Sequence, residues 1–204
     1  MELPVYKVIE GKNDVLLSAP HAFAHNRPTL RSTLKLGEEY TAEIVKEVCA
    51  ITGSWGIYLD KTSEHFDPNY HKLDRNPYKE KILELLKEKK ITKVIDIHGL
   101  SDFHSFDLGF SYCMRYSKSK SMAMQVIDRL AKKQELKGLS YHIWYDTKYN
   151  PWHGEDDLQE TITEFVCDQN KFPAIQLEIA WYVRKDPILR HAVIDGLSEF
   201  IMSL

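Results

Sequence analysis

The sequence is poor in cysteine. It has 3 in 204 residues, Cys49, Cys113 and Cys167, an odd number spread far apart. That spacing excludes a CxxC zinc or redox motif and argues against a disulfide framework. Glycine (9) and proline (8) are too scarce for a fibrous or low-complexity chain. An excess of one charge is also lacking. With 27 basic and 30 acidic residues, net −3, no basic surface points to nucleic acid and no acidic block forms a tail. No apolar run approaches the roughly 20 residues of a membrane helix. The opening MELPVYKVIEGKND carries charges throughout and has no signal-peptide apolar stretch. GxSxG, GxxxxGK[ST] and HExxH are all missing, so nothing supports a serine nucleophile, a P-loop or a zincin helix. These absences lead to the expectation of a cytoplasmic protein acting on a small molecule, with no nucleic-acid or membrane partner. Oligomeric state is left open.

What is present is ordinary globular chemistry, 43% apolar and 28% charged, enough for one domain over residues 1–204. Short apolar runs of the buried-strand type alternate with amphipathic stretches. Strands are expected at Val5–Glu10, Val15–Ala19, Gly53–Tyr58, Lys93–Ile97, Leu108–Tyr116, Leu139–Tyr145 and Pro173–Ile179. Helices are expected at Glu38–Cys49, Tyr78–Lys89, Ser121–Lys133 and Pro187–Ser203. The last of these places Ile188, Leu189, Val193, Ile194, Leu197 and Ile201 inward. The stretch HAFAHNRPTLRSTLK has no periodicity and follows a buried strand, which marks a site-forming loop; Lys148–Asp157 reads as another loop. Regular alternation predicts an α/β fold with a mixed, largely parallel sheet and helices on both faces. In such folds ligands bind at the carboxyl ends of the strands.

The 9 histidines matter for where they fall. VLLSA ends in Pro20-His21, KVIDI ends in His98, and AIQLEI carries Glu178 near its end. By strand alternation Val94, Asp96 and His98 share one face, as do Gln176 and Glu178. A carboxylate inside an apolar strand is costly unless it is paired or functional. Two histidines from different strand ends plus one carboxylate form a catalytic zinc set that keeps a position for water, whose pKa then falls to about 7. A further carboxylate serves as general base, and Asp96 can orient a ligand from behind. His25 lies four residues after His21, but Pro20 and Pro28 flank a segment that is not helical. The remaining histidines read as surface or loop residues.

In order, SAPHA, an acidic pair before a helix, a DxN loop, DIHG and QLEIAWY resemble the motifs of the N-formylglutamate amidohydrolase family. That family is itself similar to zinc carboxypeptidases and aspartoacylases. The resemblance spans Val15 to about Arg184 and implies a phosphorylase/hydrolase-like fold. It also implies that His21 and His98 are metal ligands and that Glu178 is the general base. The third ligand falls on Glu38 or Glu39, with Glu38 preferred. Asp107-Leu108-Gly109 resembles a further family segment. The family's DxNR motif, which grips a substrate carboxylate, is altered here. Asp67-Pro68-Asn69-Tyr70 fits best and Asp74-Arg75-Asn76 is a second candidate, but in neither does arginine follow asparagine. Arg27, Arg75, Arg115 or Arg184 are left to supply the cation. Arg184 is preferred, either for an oxyanion or for a substrate carboxylate, because it follows the strand end.

The expected function is hydrolysis of an amide bond in a small N-acyl amino acid, N-formyl ones included, or in a short peptide-like substrate. One zinc per chain would serve it. A non-catalytic metal- or ligand-binding protein on the same fold is the main alternative, and it predicts Glu178 tied into an ion pair. A two-metal phosphoesterase needs more clustered carboxylates than the sequence offers.

Overall fold

The computed structural model describes residues 5–27, 33–112, 117–145 and 160–204. In chain order the strands and helices are β1 (Tyr6–Ile9), β2 (Val15–Ala19), β3 (His25–Arg27), β4 (Thr33–Lys35), α1 (Thr41–Thr52), β5 (Trp55–Leu59), α2 (Pro77–Glu88), β6 (Lys93–Leu100), β7 (Leu108–Tyr112), α3 (Ser117–Ala131), β8 (Tyr141–Tyr145), α4 (Ile162–Glu164), β9 (Ala174–Ala180), α5 (Trp181–Lys185) and α6 (Pro187–Met202). Seven strands form one sheet in the order β1-β5-β2-β6-β9-β7-β8. β5, β2, β6 and β9 run parallel. β1 and β7 join them antiparallel, and β8 runs parallel to β7. β3 and β4 make a separate two-stranded ribbon within the aperiodic stretch after His21. The mixed, mostly parallel α/β sheet is thus the fold expected from the alternation.

The central strands are buried on both sides, as parallel strands between helices must be. Leu17, Ile95, Ile97, Ile175, Leu177 and Phe110 face one apolar layer with buried residues of α1, α3 and α6. Leu16, Val94 and Ala174 face a second with Tyr78, Ile82, Leu85 and Leu86 of α2 and with Ile162, Phe165 and Val166. Asp96, His98, Gln176 and Glu178 alternate with the first set, so they project on the α2 side. Helix ends follow local chemistry. Asn76 caps α2 ahead of Pro77, and Asp186 caps α6 ahead of Pro187. Gly53, at φ 70°, closes α1 in the left-handed conformation that glycine adopts without strain.

Several boundaries differ from the sequence reading. α1 begins at Thr41, not Glu38, because Tyr40 sits at φ 69° and turns the chain before the helix. Glu38 and Glu39 are therefore in the approach to the helix and do not serve its first turn. Ile188, expected inward, is 66% exposed, because the capped first turn of α6 stands clear of the core. The turn at Ile162–Gln169 was not foreseen, although its capping box, Thr161 with Glu164, is present in the sequence. Lys148–Asp157, and the Cys113–Tyr116 end of the expected strand Leu108–Tyr116, lie outside the described residues. Among the described residues, no helix is long and apolar enough to cross a membrane.

Candidate active site

β2 and β6 are neighbours, and their carboxyl ends deliver His21 and His98 to one point above the sheet. The ring centroids lie 4.8 Å apart, edge to face. Glu38 reaches between them. Its Oε1 is 3.1 Å from His21 Nδ1, and its Oε2 is 3.4 Å from His98 Nδ1. Main chain holds the carboxylate there: Gly99 N–H donates to Oε2 at 2.9 Å, and Glu38 N–H donates to His21 O at 2.7 Å. Glu39 points elsewhere and accepts from Trp181 Nε1 at 3.2 Å. Of the two glutamates, the structure brings Glu38 to the histidines.

Each imidazole is backed by a second carboxylate. His21 Nε2 lies 2.8 Å from Asp67 Oδ1, and His98 Nε2 lies 2.9 Å from Asp96 Oδ2. Asp67 and Asp96 are completely buried. A carboxylate accepts only, so each Nε2 carries its proton toward its aspartate, and each Nδ1, which faces Glu38, is the nitrogen free to lose its proton to a bound cation. Burial opposes a proton on His21, but Asp67 and Glu38 outweigh it and raise its pKa. Burial opposes charge on His98 too, and Asp96 and Glu38 raise its pKa well above the ordinary value. Burial would push Glu38 up, yet the two histidines hold its carboxyl well below the usual range.

Asp67 was expected to contact substrate, and the structure places it behind His21 instead. Its Oδ1 also accepts from Asn69 N at 2.9 Å and Tyr70 N at 3.1 Å, an Asx turn that fixes the Asp67-Pro68-Asn69-Tyr70 loop. Asn69 Oδ1 accepts from Ile162 N at 2.8 Å, which fixes the amide orientation and directs Nδ2 toward His98, 3.4 Å from its Nε2. The unforeseen turn at Ile162 thus orients Asn69. The alternative motif Asp74-Arg75-Asn76 is spent on structure: Asp74 and Arg75 form an exposed pair, and Asn76 caps α2.

Glu178 is the register partner of His98 on β9. Gln176 Nε2 donates to its Oε1 at 2.6 Å. Burial raises the Glu178 pKa, the nearby Glu38 charge adds to this, and His98 and Gln176 oppose it. A carboxylate whose proton affinity is raised in this way suits a group that both takes and returns a proton.

The arginines separate. Arg27 stands at the edge of the site with Nε 3.4 Å from Asp67 Oδ2 and its guanidinium 4.7 Å above the Tyr70 ring. Arg184 does not fit the expected oxyanion or substrate role. It is buried, and its guanidinium donates to three main-chain carbonyls, those of Ile179, Glu39 and Leu100. Arg115 lies outside the described residues.

His25 was not expected at the site. Its ring stacks on His21 at 3.9 Å and 4°, with Nε2 3.7 Å from Asp67 Oδ2. The signal was the four-residue spacing from His21, realised by a ribbon strand and not a helix. Among the described residues, two donor groups can gather a cation by proximity, His21/Glu38/His98 and His21/His25/Asp67. The second is poor in geometry. Stacked imidazoles send their in-plane lone pairs along parallel lines, so one ion cannot lie in both planes. The first offers two nitrogens and a carboxylate oxygen, with both rings locked from behind. It therefore fits a divalent metal well.

No protein-family model and no curated protein matches this chain. Solved structures do match its fold. An N-formylglutamate amidohydrolase from Ralstonia eutropha aligns over 97% of this chain and 96% of its own, at 9% identity and a TM-score of 0.56. A bacteriophage poly-gamma-glutamate hydrolase aligns over 98% and 89%, at 13% identity and 0.58. A metallo-carboxypeptidase from Burkholderia cenocepacia aligns over 99% of this chain and 65% of its own, at 10% identity and 0.61. The chain therefore has the α/β fold of these hydrolases, which is the fold that the sequence resemblance implied.

Proposed function

We propose that this chain, as a single domain, is a zinc-dependent hydrolase of an amide bond in a small N-acyl amino acid or short peptide-like substrate. The observation that carries the reading is the back-to-back pairing at two strand ends. Asp67 holds His21, Asp96 holds His98, and Glu38 spans the inner nitrogens of both. His21, Glu38 and His98 would hold one zinc ion, which would supply Lewis acidity toward the substrate carbonyl and toward water.

The chain's own groups do the rest. Glu178, on the strand beside His98, takes a proton from the attacking water and returns it to the departing amine. Asn69 presents its amide N–H groups beside His98 as a donor to substrate. Arg27 supplies the cation that the altered DxN loop lacks. Its Nε is held toward Asp67, and the planar guanidinium suits a substrate carboxylate. Tyr70 beneath it fixes the plane of that fork. A non-catalytic role would expect Glu178 locked in an ion pair, whereas the partner given by the geometry is the neutral Gln176 amide.

The testing experiment is zinc loading followed by a panel of N-formyl, N-acetyl and γ-glutamyl amino acids. The last class enters because one fold relative is a poly-gamma-glutamate hydrolase. Release of free amine that needs zinc and Glu178 supports the reading. A zinc-loaded protein that turns over none of these amides overturns it.

A further inference from the structure

We propose that Arg184 is a positioning residue that sets Glu38, His98 and Glu178 in register; the proposal deepens the hydrolase reading above and rests on it. Arg184 is 3% exposed, and its guanidinium ties three separate segments together. Nε donates to Ile179 O at 2.9 Å, Nη2 donates to Leu100 O at 3.1 Å, and Nη1 donates to Glu39 O. Ile179 follows Glu178, Leu100 lies two residues beyond His98, and Glu39 follows Glu38. One planar cation thus fixes the main chain beside each of the three groups that the proposed reaction uses. Charge-assisted bonds to carbonyls are strong, and only guanidinium offers a fork of donors wide enough for three of them. Lysine has one ammonium point and cannot span the set.

Two further features depend on the same group. Gly99 has ordinary backbone, yet a Cβ there would come within 2.5 Å of Arg184 Cζ and Nη2. A side chain at this position would force the guanidinium out of that space. On its other side the Gly99 N–H donates to Glu38 Oε2 at 2.9 Å, so Arg184 acts on Glu38 through a single residue. Tyr40 has a left-handed φ of 69°, a strained state for a bulky side chain that persists only where the surroundings enforce it. The bond from Arg184 to Glu39 O tethers that turn. Arg190 adds to it, with its Nη1 on Arg184 O at 2.6 Å and its guanidinium 4.7 Å over the Tyr40 ring.

Arg184→Lys and Gly99→Ala break the contact from opposite sides, so one serves if the other does not fold. Three quantities are compared with the parent: zinc affinity by chelator competition, kcat and KM, and hydrogen exchange of the residue-99 amide in metal-free protein. Each variant is expected to lose about tenfold or more in zinc affinity and in kcat with KM little changed, and to exchange that amide about tenfold faster. The double variant should be no worse than the poorer single one, since both remove one interaction. Lowered thermal stability with unchanged zinc affinity and unchanged exchange would overturn the proposal and leave Arg184 a simple brace. If the parent protein takes up no zinc, the hydrolase reading fails, and the exchange measurement alone still decides the role of Arg184.

Discussion

His98 and Glu178 are register partners across the parallel strands β6 and β9, so their side chains leave the same face of the sheet side by side. In the proposed reaction one holds the metal and the other moves a proton, and the two tasks separate by mutation. Glu178→Gln keeps the shape and the bond to residue 176 but removes the titrating oxygen. It is expected to keep full zinc occupancy and to lose about 10²–10⁴-fold in kcat. Metal analysis beside turnover checks this, and surviving activity would remove Glu178 from the proton path.

Asp96 lies completely buried behind His98, 2.9 Å from its Nε2. Asp96→Asn leaves His98 as a ligand but frees its ring to turn and to change tautomer. Zinc affinity should fall about 10–100-fold, whereas His98→Ala should abolish stoichiometric binding. Chelator titration of the two variants gives the ranking; equal affinities for Asp96→Asn and parent would contradict the carboxylate's orienting role.

Arg27 sits between Asp67 and Tyr70 at the site edge. Arg27→Met is expected to raise KM about tenfold or more, about 1.4 kcal/mol of lost binding, for substrates with a free carboxylate. Matched neutral amides should be unaffected. Equal loss on both substrate types would mean that Arg27 supports the Asp67 loop and does not read charge.

Away from the site, Lys79 is completely buried, with its ammonium on Glu160 O and 3.5 Å from Glu160 Oε2. Burial pulls its pKa down to about 8, with Glu160 opposing the shift. The folded state therefore binds fewer protons than the unfolded state between about pH 8 and the ordinary lysine range, and stability contributed by this group rises with pH across that window. Denaturant titrations of parent and Lys79→Met over that range should show the parent's stability rising relative to the variant's. Parallel curves would refute the buried-charge account.

Fold and site were legible in the sequence to different depths. Strand ends carrying His21, His98 and Glu178 could be read because burial on both faces leaves few reasons for polar residues there. The choice between Glu38 and Glu39 could not, because it depends on Tyr40 turning left-handed before the helix. Asp67 was read as a substrate residue because its neighbours in sequence suggested it. Its partner His21 lies 46 residues away, a separation that local pattern does not encode. Arg184 followed the strand end as expected, but which carbonyls would surround it is a property of three distant segments. His25 was dismissed as non-helical, and it reaches the site by the ribbon β3–β4.

The most direct test of the central claim is zinc content of the purified protein compared with Glu38→Ala and Glu39→Ala. The account predicts one zinc per chain in the parent and in Glu39→Ala, and its loss in Glu38→Ala. A parent protein that takes up no zinc, or a Glu38→Ala variant that keeps it at full affinity, would contradict the proposed centre.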